Sequence, residues 1–211
     1  MIAMKNTGTI LFRFCPLLCL LLALTACGRR QETAPSALPA APESGIANAE
    51  LKAVGLAAIQ EAFGLLTSNL TAALARGGTT EALPFCKVEA LPLTASVGEA
   101  YDLELRRVAL RVRNPANRAS PRAAEIFETM RTAMAQGRAL EPVVEMVGDD
   151  PVLYAPIILN NPLCLVCHGT PNQQIAPGTM DLLADLYPDD EAVGFQMGDL
   201  RGLWEVRAWA R

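Results

Sequence analysis

Two cysteines three positions apart, with a histidine directly after the second, are the residues of this chain best equipped for chemistry: Cys164-Leu165-Val166-Cys167-His168. His168 is the only histidine in the 211 residues. Two thiols at this spacing can each close a thioether onto a vinyl group of haem. The adjacent imidazole is then held against the iron as its proximal ligand. The motif therefore points to one covalently attached haem c. Two other chemistries use the same residue types. A zinc site needs four ligands, which one histidine and three cysteines barely supply. A redox dithiol calls for a thioredoxin-like pattern around the motif, and the chain has none.

The opposite side of the iron is open to several readings. With no second histidine, bis-histidine ligation within one chain is excluded. The sulfur candidates are Cys86, Met130, Met134, Met146, Met180 and Met197, and an open position is a further alternative. Methionines are usually core fillers. Cys86 has no evident disulfide partner, because the other cysteines have uses elsewhere. A lone thiol in an oxidising compartment is a liability unless it is buried or ligated.

Those other uses begin at the N-terminus. Lys5 and Arg13 supply positive charge ahead of an apolar stretch from Phe14 to Leu24. The stretch has signal-peptide length and is too short to span a bilayer comfortably. It ends in Leu24-Thr25-Ala26-Cys27, which resembles the lipobox of bacterial lipoproteins. That resemblance implies a signal peptide over residues 1–26, acylation of Cys27, and loss of Cys15 and Cys19 with the leader. Gly28 is not aspartate, which by the same resemblance directs the protein to the outer rather than the inner membrane, on the periplasmic side. Residues 27–45, rich in Ala, Pro, Ser and Glu, read as a flexible tether. Lys5 and Arg13 leave with the leader, so the 18 basic residues fall to 16 against 22 acidic ones, and net charge moves from −4 to −6. This acidity argues against nucleic acid or an anionic membrane surface as partner.

Residues 46–211 are enough for one domain with its own core. Ile46 to Arg76 reads as a long helix, with Leu51, Ile59, Phe63, Leu66, Leu70 and Leu74 near helical spacing and Gly77-Gly78 as its stop. A shorter helical turn is expected from Pro84 to Leu91, carrying Cys86. Val108, Leu110 and Val112 alternate with Ala109, Arg111 and Arg113, the pattern of a half-buried strand ending at Asn114-Pro115. On that reading Arg111 and Arg113 share one strand face, which either suits anionic propionates or is simply solvated; Arg106, Arg107 and Arg118 are expected in solvent. Ser120-Pro121 opens a helix that Gly137 closes. Val143–Val147 and Val152–Leu159 read as strands joined by a turn at Gly148–Pro151. A short helix over Thr179–Leu186 and a strand over Leu203–Trp209 complete an α+β domain.

The segments Cys86, Leu110-Arg111-Val112-Arg113-Asn114-Pro115-Ala116-Asn117, Cys164–Gly169, Tyr187–Phe195 and Gly198–Gly202 resemble, in order and content, a family of single-haem c-type domains. That family was long known only as a domain of unknown function. The resemblance covers residues 46–211. It implies a PAS-like antiparallel sheet with a long N-terminal helix and inserted helices. Members stand alone in the periplasm or form extracytoplasmic parts of sensor kinases. It further implies thioethers at Cys164 and Cys167, His168 as proximal ligand, Cys86 as ligand from the other side, and Arg111, Arg113, Asn114 and Asn117 around the cofactor.

Three functions follow from this reading. The first is a lipid-anchored haem domain sensing redox state or a small gas. The second is a single-haem electron-transfer cytochrome with a redox partner protein. The third, an enzyme with an open iron site, lacks a candidate acid–base pair. The anchor is testable by itself: Cys27→Ser should move the protein from the membrane fraction to the soluble one without loss of colour. Membrane retention of that variant would contradict the lipobox.

Overall fold

A computed structural model describes residues 48–208. The expected signal peptide over 1–26, the acylated Cys27 and the tether over 27–45 lie outside the described residues.

The chain opens with a helical hairpin. Helix α1 spans Asn48–Gly77 and helix α2 spans Thr79–Ala100. They are joined at Gly78, whose φ of 62° lies in the left-handed region that glycine enters without a Cβ penalty. Helix α2 is much longer than the turn expected around Cys86. It runs 22 residues through two interior prolines, Pro84 and Pro92. Each proline removes one backbone donor and leaves the carbonyl four residues earlier, Thr80 or Val88, without its helical partner. Burial of Leu83, Ala90, Thr94, Val97 and Gly98 against neighbouring elements outweighs that local penalty.

Four antiparallel strands follow: β1 (Leu103–Val108), β2 (Val143–Val147), β3 (Asp150–Ile158) and β4 (Leu200–Ala208), in the order β1-β4-β3-β2. The strand expected over Val108–Val112 is displaced. It begins five residues earlier and stops at Val108, because the chain then leaves the sheet and Ala109 donates to the Asn117 carbonyl instead. Residues 115–117 form a single 3-10 turn, with the Asn114 side chain accepting from Ala116 N. The displacement matters because side chains alternate along a strand. Leu103, Leu105 and Arg107 share one face, and it is the face turned towards the hairpin.

On that face Leu51, Ala58 and Ala62 of α1 and Val97 of α2 pack against Leu103, Leu105, Leu153, Ala155, Trp204 and Val206. The small residues of α1 let it lie close to the sheet. A Cβ on Gly55 would stand 2.6 Å from Leu153 Cδ2. On the other face helix α3, Pro121–Ala135, lays Ala123, Ile126, Phe127 and Met130 over Val108, Val152, Tyr154 and Leu203. Ser120 caps α3 by accepting from Ala123 N, as its Ser-Pro start leads one to expect. The four-residue helix α4 (Leu165–His168) and α5 (Pro177–Leu186) lie between β3 and β4 in sequence, and α5 packs against α2 through Leu83, Ile175 and Leu183. The architecture is α+β with an antiparallel sheet, a long first helix and inserted helices, as the sequence predicted. Among the described residues no helix is long and apolar enough to cross a membrane.

The seating of α2 on the sheet is tight at Gly98, where a Cβ would lie 2.6 Å from the Leu103 carbonyl oxygen and 3.0 Å from Leu105 Cβ. Gly98→Ala should therefore destabilise the fold by about 1–3 kcal/mol, read as a lower urea midpoint. An unchanged midpoint would contradict this close approach.

Candidate functional site

A cavity of about 280 Å³ opens between the hairpin, the sheet and the C-x-x-C-H segment. Most of its wall is hydrocarbon: Phe63, Leu66 and Leu70 from α1, Leu83 and Ala90 from α2, and Ile157, Leu159 and Trp204 from the sheet side. Into it face all three described cysteines, Cys86, Cys164 and Cys167, together with His168 and Tyr187. Residues more than 75 positions apart in sequence thus meet in one space. Cys86 comes from the helical hairpin, and Cys164, Cys167 and His168 from the turn after β3. The five candidate methionines do not line this space. Met130 and Met134 pack with α3, Met180 packs with α5, and Met146 and Met197 are exposed. Cys86 is therefore the one sulfur that faces the motif from across the cavity among the described residues.

The imidazole is held in one tautomer. His168 Nδ1–H donates to the Ala192 carbonyl at 2.8 Å, which leaves the Nε2 lone pair free. Burial first, and then the Arg113 and Arg201 cations, hold its pKa well below the ordinary histidine value, so the ring is neutral. The loop that supplies the carbonyl is fastened to the motif along its length. Gly194 N donates to Gly169 O at 2.6 Å and Phe195 N to His168 O at 2.9 Å. A Cβ on Gly169 would stand 2.6 Å from the Leu165 carbonyl oxygen and 2.7 Å from Gln174 Cβ, so the chain after His168 has no room for a side chain.

Arg113 fixes this loop from the other side. Its Nε and Nη2 meet Asp190 at 3.0 and 2.9 Å, and Nη2 also donates to Cys167 O at 2.6 Å and Ala192 O at 3.2 Å. Arg113 and Asp190 side chains are only 10% and 9% exposed, which keeps the pair out of bulk water. The carbonyl that orients His168 is thus itself held by Arg113.

The thiols are not built for nucleophilic work. Burial raises the pKa of Cys164 and takes Cys167 up to about 11. Burial also raises Cys86, against a lowering by Arg107 and Arg113. A redox dithiol needs a stabilised thiolate, and burial here acts in the opposite sense. Among the described residues no cluster of three or more His, Cys, Asp or Glu is placed to hold a metal ion by itself.

Other sequence expectations are met unevenly. Asn114 and Asn117 line the cavity. Arg113 does too, although its bonds run to the loop. Arg111 does not reach the cavity wall. It donates to the Glu191 and Val193 carbonyls, and its guanidinium lies 4.4 Å from the Phe195 ring centre. Arg107, expected in solvent, faces the cavity. It stacks 6.0 Å from the Trp204 ring centre, opposite which it sits in register, and donates to Ala90 O at 3.2 Å. Its buried Nε has no partner. The difference comes from the strand: a phase set by Val108, Leu110 and Val112 turns Arg107 outward, whereas Leu103 and Leu105 turn it inward. Asp190 and Ala192 support His168 without any sign of it in the sequence, since a backbone carbonyl leaves no signature there.

The family model named Tll0287-like (Tll0287) matches residues 30–208. The chain belongs to the Tll0287-like family. This bears out the membership expected from the motifs, and the match reaches back into the stretch read as a tether. Among solved structures, the crystal structure of the cyanobacterial heme-protein Tll0287 superposes with a TM-score of 0.51 at 22% identity, covering 72% of this chain and 93% of that one. At that identity the likeness speaks for the fold. No curated protein matches the chain.

Within this Tll0287-like domain the Arg113–Asp190 pair has a measurable weight. Arg113→Gln leaves a buried carboxylate unpaired and should destabilise by about 3–5 kcal/mol in chemical denaturation. Adding Asp190→Asn should recover part of that loss. Strictly additive effects would show that the pair does not act as a unit.

Proposed function

We propose that this is a haem-binding protein whose cavity would take one covalently attached haem c, with Cys164 and Cys167 as the residues that would form the thioethers and His168 and Cys86 as the residues that would hold the iron. The observation that carries this reading is the convergence of four residues, from two distant parts of the chain, on one largely apolar cavity. The donor set suits the group. The two motif thiols are free and half-buried, and they adjoin an imidazole whose Nε2 is unprotonated. The thiol opposite has no other role in the fold. Tll0287, whose solved structure shares this fold, is called a heme-protein, which supports the same reading. When bound, such a group supplies an iron that can change oxidation state and accept an external ligand.

The chain's own part is to orient and to respond. Ala192 and Arg113 keep the imidazole aimed. The hydrocarbon wall offers the group an apolar surface to lie on. Cys86 sits on α2, whose far end, at Val97 and Gly98, packs against β1. A bound iron would be held by the Cys86 thiolate more firmly when oxidised than when reduced. Any displacement of Cys86 would be carried by α2, whose far end packs on the sheet. Pro84 lies two residues before Cys86 and leaves the Thr80 carbonyl without a helical donor, which softens that turn. We therefore read the domain as a sensor of redox state or of a small gas, held by a lipid anchor at Cys27 on the periplasmic side of the membrane, outer rather than inner. A single-haem electron-transfer role is the second reading. It is favoured by the cavity's rim, where Phe63 is 54% exposed and the site lies close to solvent.

The purified protein, made in cells with cytochrome c maturation machinery, should show a Soret band and a positive pyridine haemochrome test. Its ferric form should give a low-spin thiolate signal in electron paramagnetic resonance, lost in Cys86→Ala while the haem stays attached. An identical spectrum in Cys86→Ala would remove Cys86 as a ligand. Ligand loss on reduction, or displacement by carbon monoxide, selects sensing, and six-coordination in both oxidation states selects electron transfer.

A further inference from the structure

Charge in the cavity does not balance. Arg113 is neutralised by Asp190 at 2.9 Å. Arg107 is not neutralised by any side chain: among the described residues it has no carboxylate within ion-pair distance. Its contacts are the Ala90 carbonyl at 3.2 Å and the face of Trp204. Its Nε is wholly buried and makes no hydrogen bond. A guanidinium keeps its charge in proteins, and a buried donor left unpaired costs about 1–3 kcal/mol, more when charged. Folds rarely retain such a group unless something else completes it.

The placement of Arg107 says what kind of group this is. Ala90 lies one helical turn beyond Cys86 on α2, so the hydrogen bond to Ala90 O puts the guanidinium on the Cys86 wall of the cavity. Arg107 is also the cation that acts most strongly on the Cys86 thiol. The rest of that wall is apolar, with Leu83 and Trp204 as neighbours. An apolar enclosure with one unpaired, fixed, forked donor binds a small anion. It offers a neutral ligand of the same size nothing comparable.

We propose that Arg107 forms an anion-binding subsite beside Cys86, and that the cavity admits small inorganic anions of the azide and nitrite class in preference to neutral ligands once Cys86 is out of the way. This deepens the haem reading and rests on it. Two sources of negative charge share this chemistry: an external anion, and a carboxylate of the cofactor itself. The proposal is for the external anion.

The test uses the full-length ferric holoprotein carrying Cys86→Ala, titrated with azide, nitrite and neutral imidazole and followed by the Soret band. Adding Arg107→Gln should weaken azide and nitrite by about tenfold or more, the range of a charge-assisted hydrogen bond, while imidazole changes by less than about twofold. Arg107→Lys should restore a large part of the anion affinity, and added chloride should compete with azide only where the cation is present. Equal weakening of azide and imidazole would overturn the proposal, because Arg107 would then only shape the wall. Unchanged anion affinity, with a shifted Soret band in Arg107→Gln, would also overturn it and assign Arg107 to the cofactor's own carboxylate. A coloured protein giving either result rejects this inference alone, whereas a preparation with no Soret band rejects the haem reading together with it.

Discussion

The hydrogen bond from His168 Nδ1 to the Ala192 carbonyl is the constraint on which the site depends. It selects the tautomer, sets the plane of the ring and leaves Nε2 as the only ring lone pair offered to the cavity. A four-residue helix such as α4 could not fix an imidazole by itself. The fixing comes from a loop some 25 positions further on, and that loop is immobilised by charge. Arg113 and Asp190 form a shielded pair, and the same guanidinium holds the carbonyls of both Cys167 and Ala192. One arginine thus couples the motif's second cysteine to the group that aims its histidine. Arg111 and Arg118 extend the clamp to Glu191 and Val193.

The opposite wall follows a different logic. Helix α2 has two interior prolines and is held by what it packs on, not by its own backbone alone. Its carboxy-terminal turns lie against β1 without room for a single methyl group at Gly98. Its amino-terminal half lines the cavity and carries Cys86. One wall is therefore stiff and charge-locked, and the other is a helix whose first turns are the softer part. The proposed pairing of a permanent ligand, His168, with an exchangeable one, Cys86, would use that asymmetry.

Much of this is legible in the sequence. The C-x-x-C-H spacing points to the proposed haem chemistry, the lone histidine limits the ligand sets, and apolar periodicity places α1, α3, β2, β3, α5 and β4. Cys86 stands out because it has no other use. The departures are concentrated where two local signals compete. In β1 the run Leu103-Glu104-Leu105-Arg106-Arg107-Val108 carries the true phase, but Val108, Leu110 and Val112 offer a second alternation of equal quality and opposite face. Arg107 is four positions from Arg111 and would share its face in either phase; it reaches the cavity because Leu103 and Leu105 turn that face inward, and Arg111 misses it because the strand stops at Val108. The length of α2 is hidden by Pro84 and Pro92, whose local penalties are overruled only by tertiary burial. The Ala192 carbonyl cannot be read at all, since any residue supplies one.

A domain of the Tll0287-like family draws its three described cysteines to one largely apolar space, the arrangement that the proposed covalent haem requires. Intact-mass measurement of protein purified from cells with cytochrome c maturation machinery, followed by a peptide digest, tests this most directly. The account predicts a polypeptide heavier by one haem, with all the added mass on the peptide containing Cys164, Cys167 and His168. A bare polypeptide mass from such cells, or haem mass on a peptide containing Cys86, would contradict it.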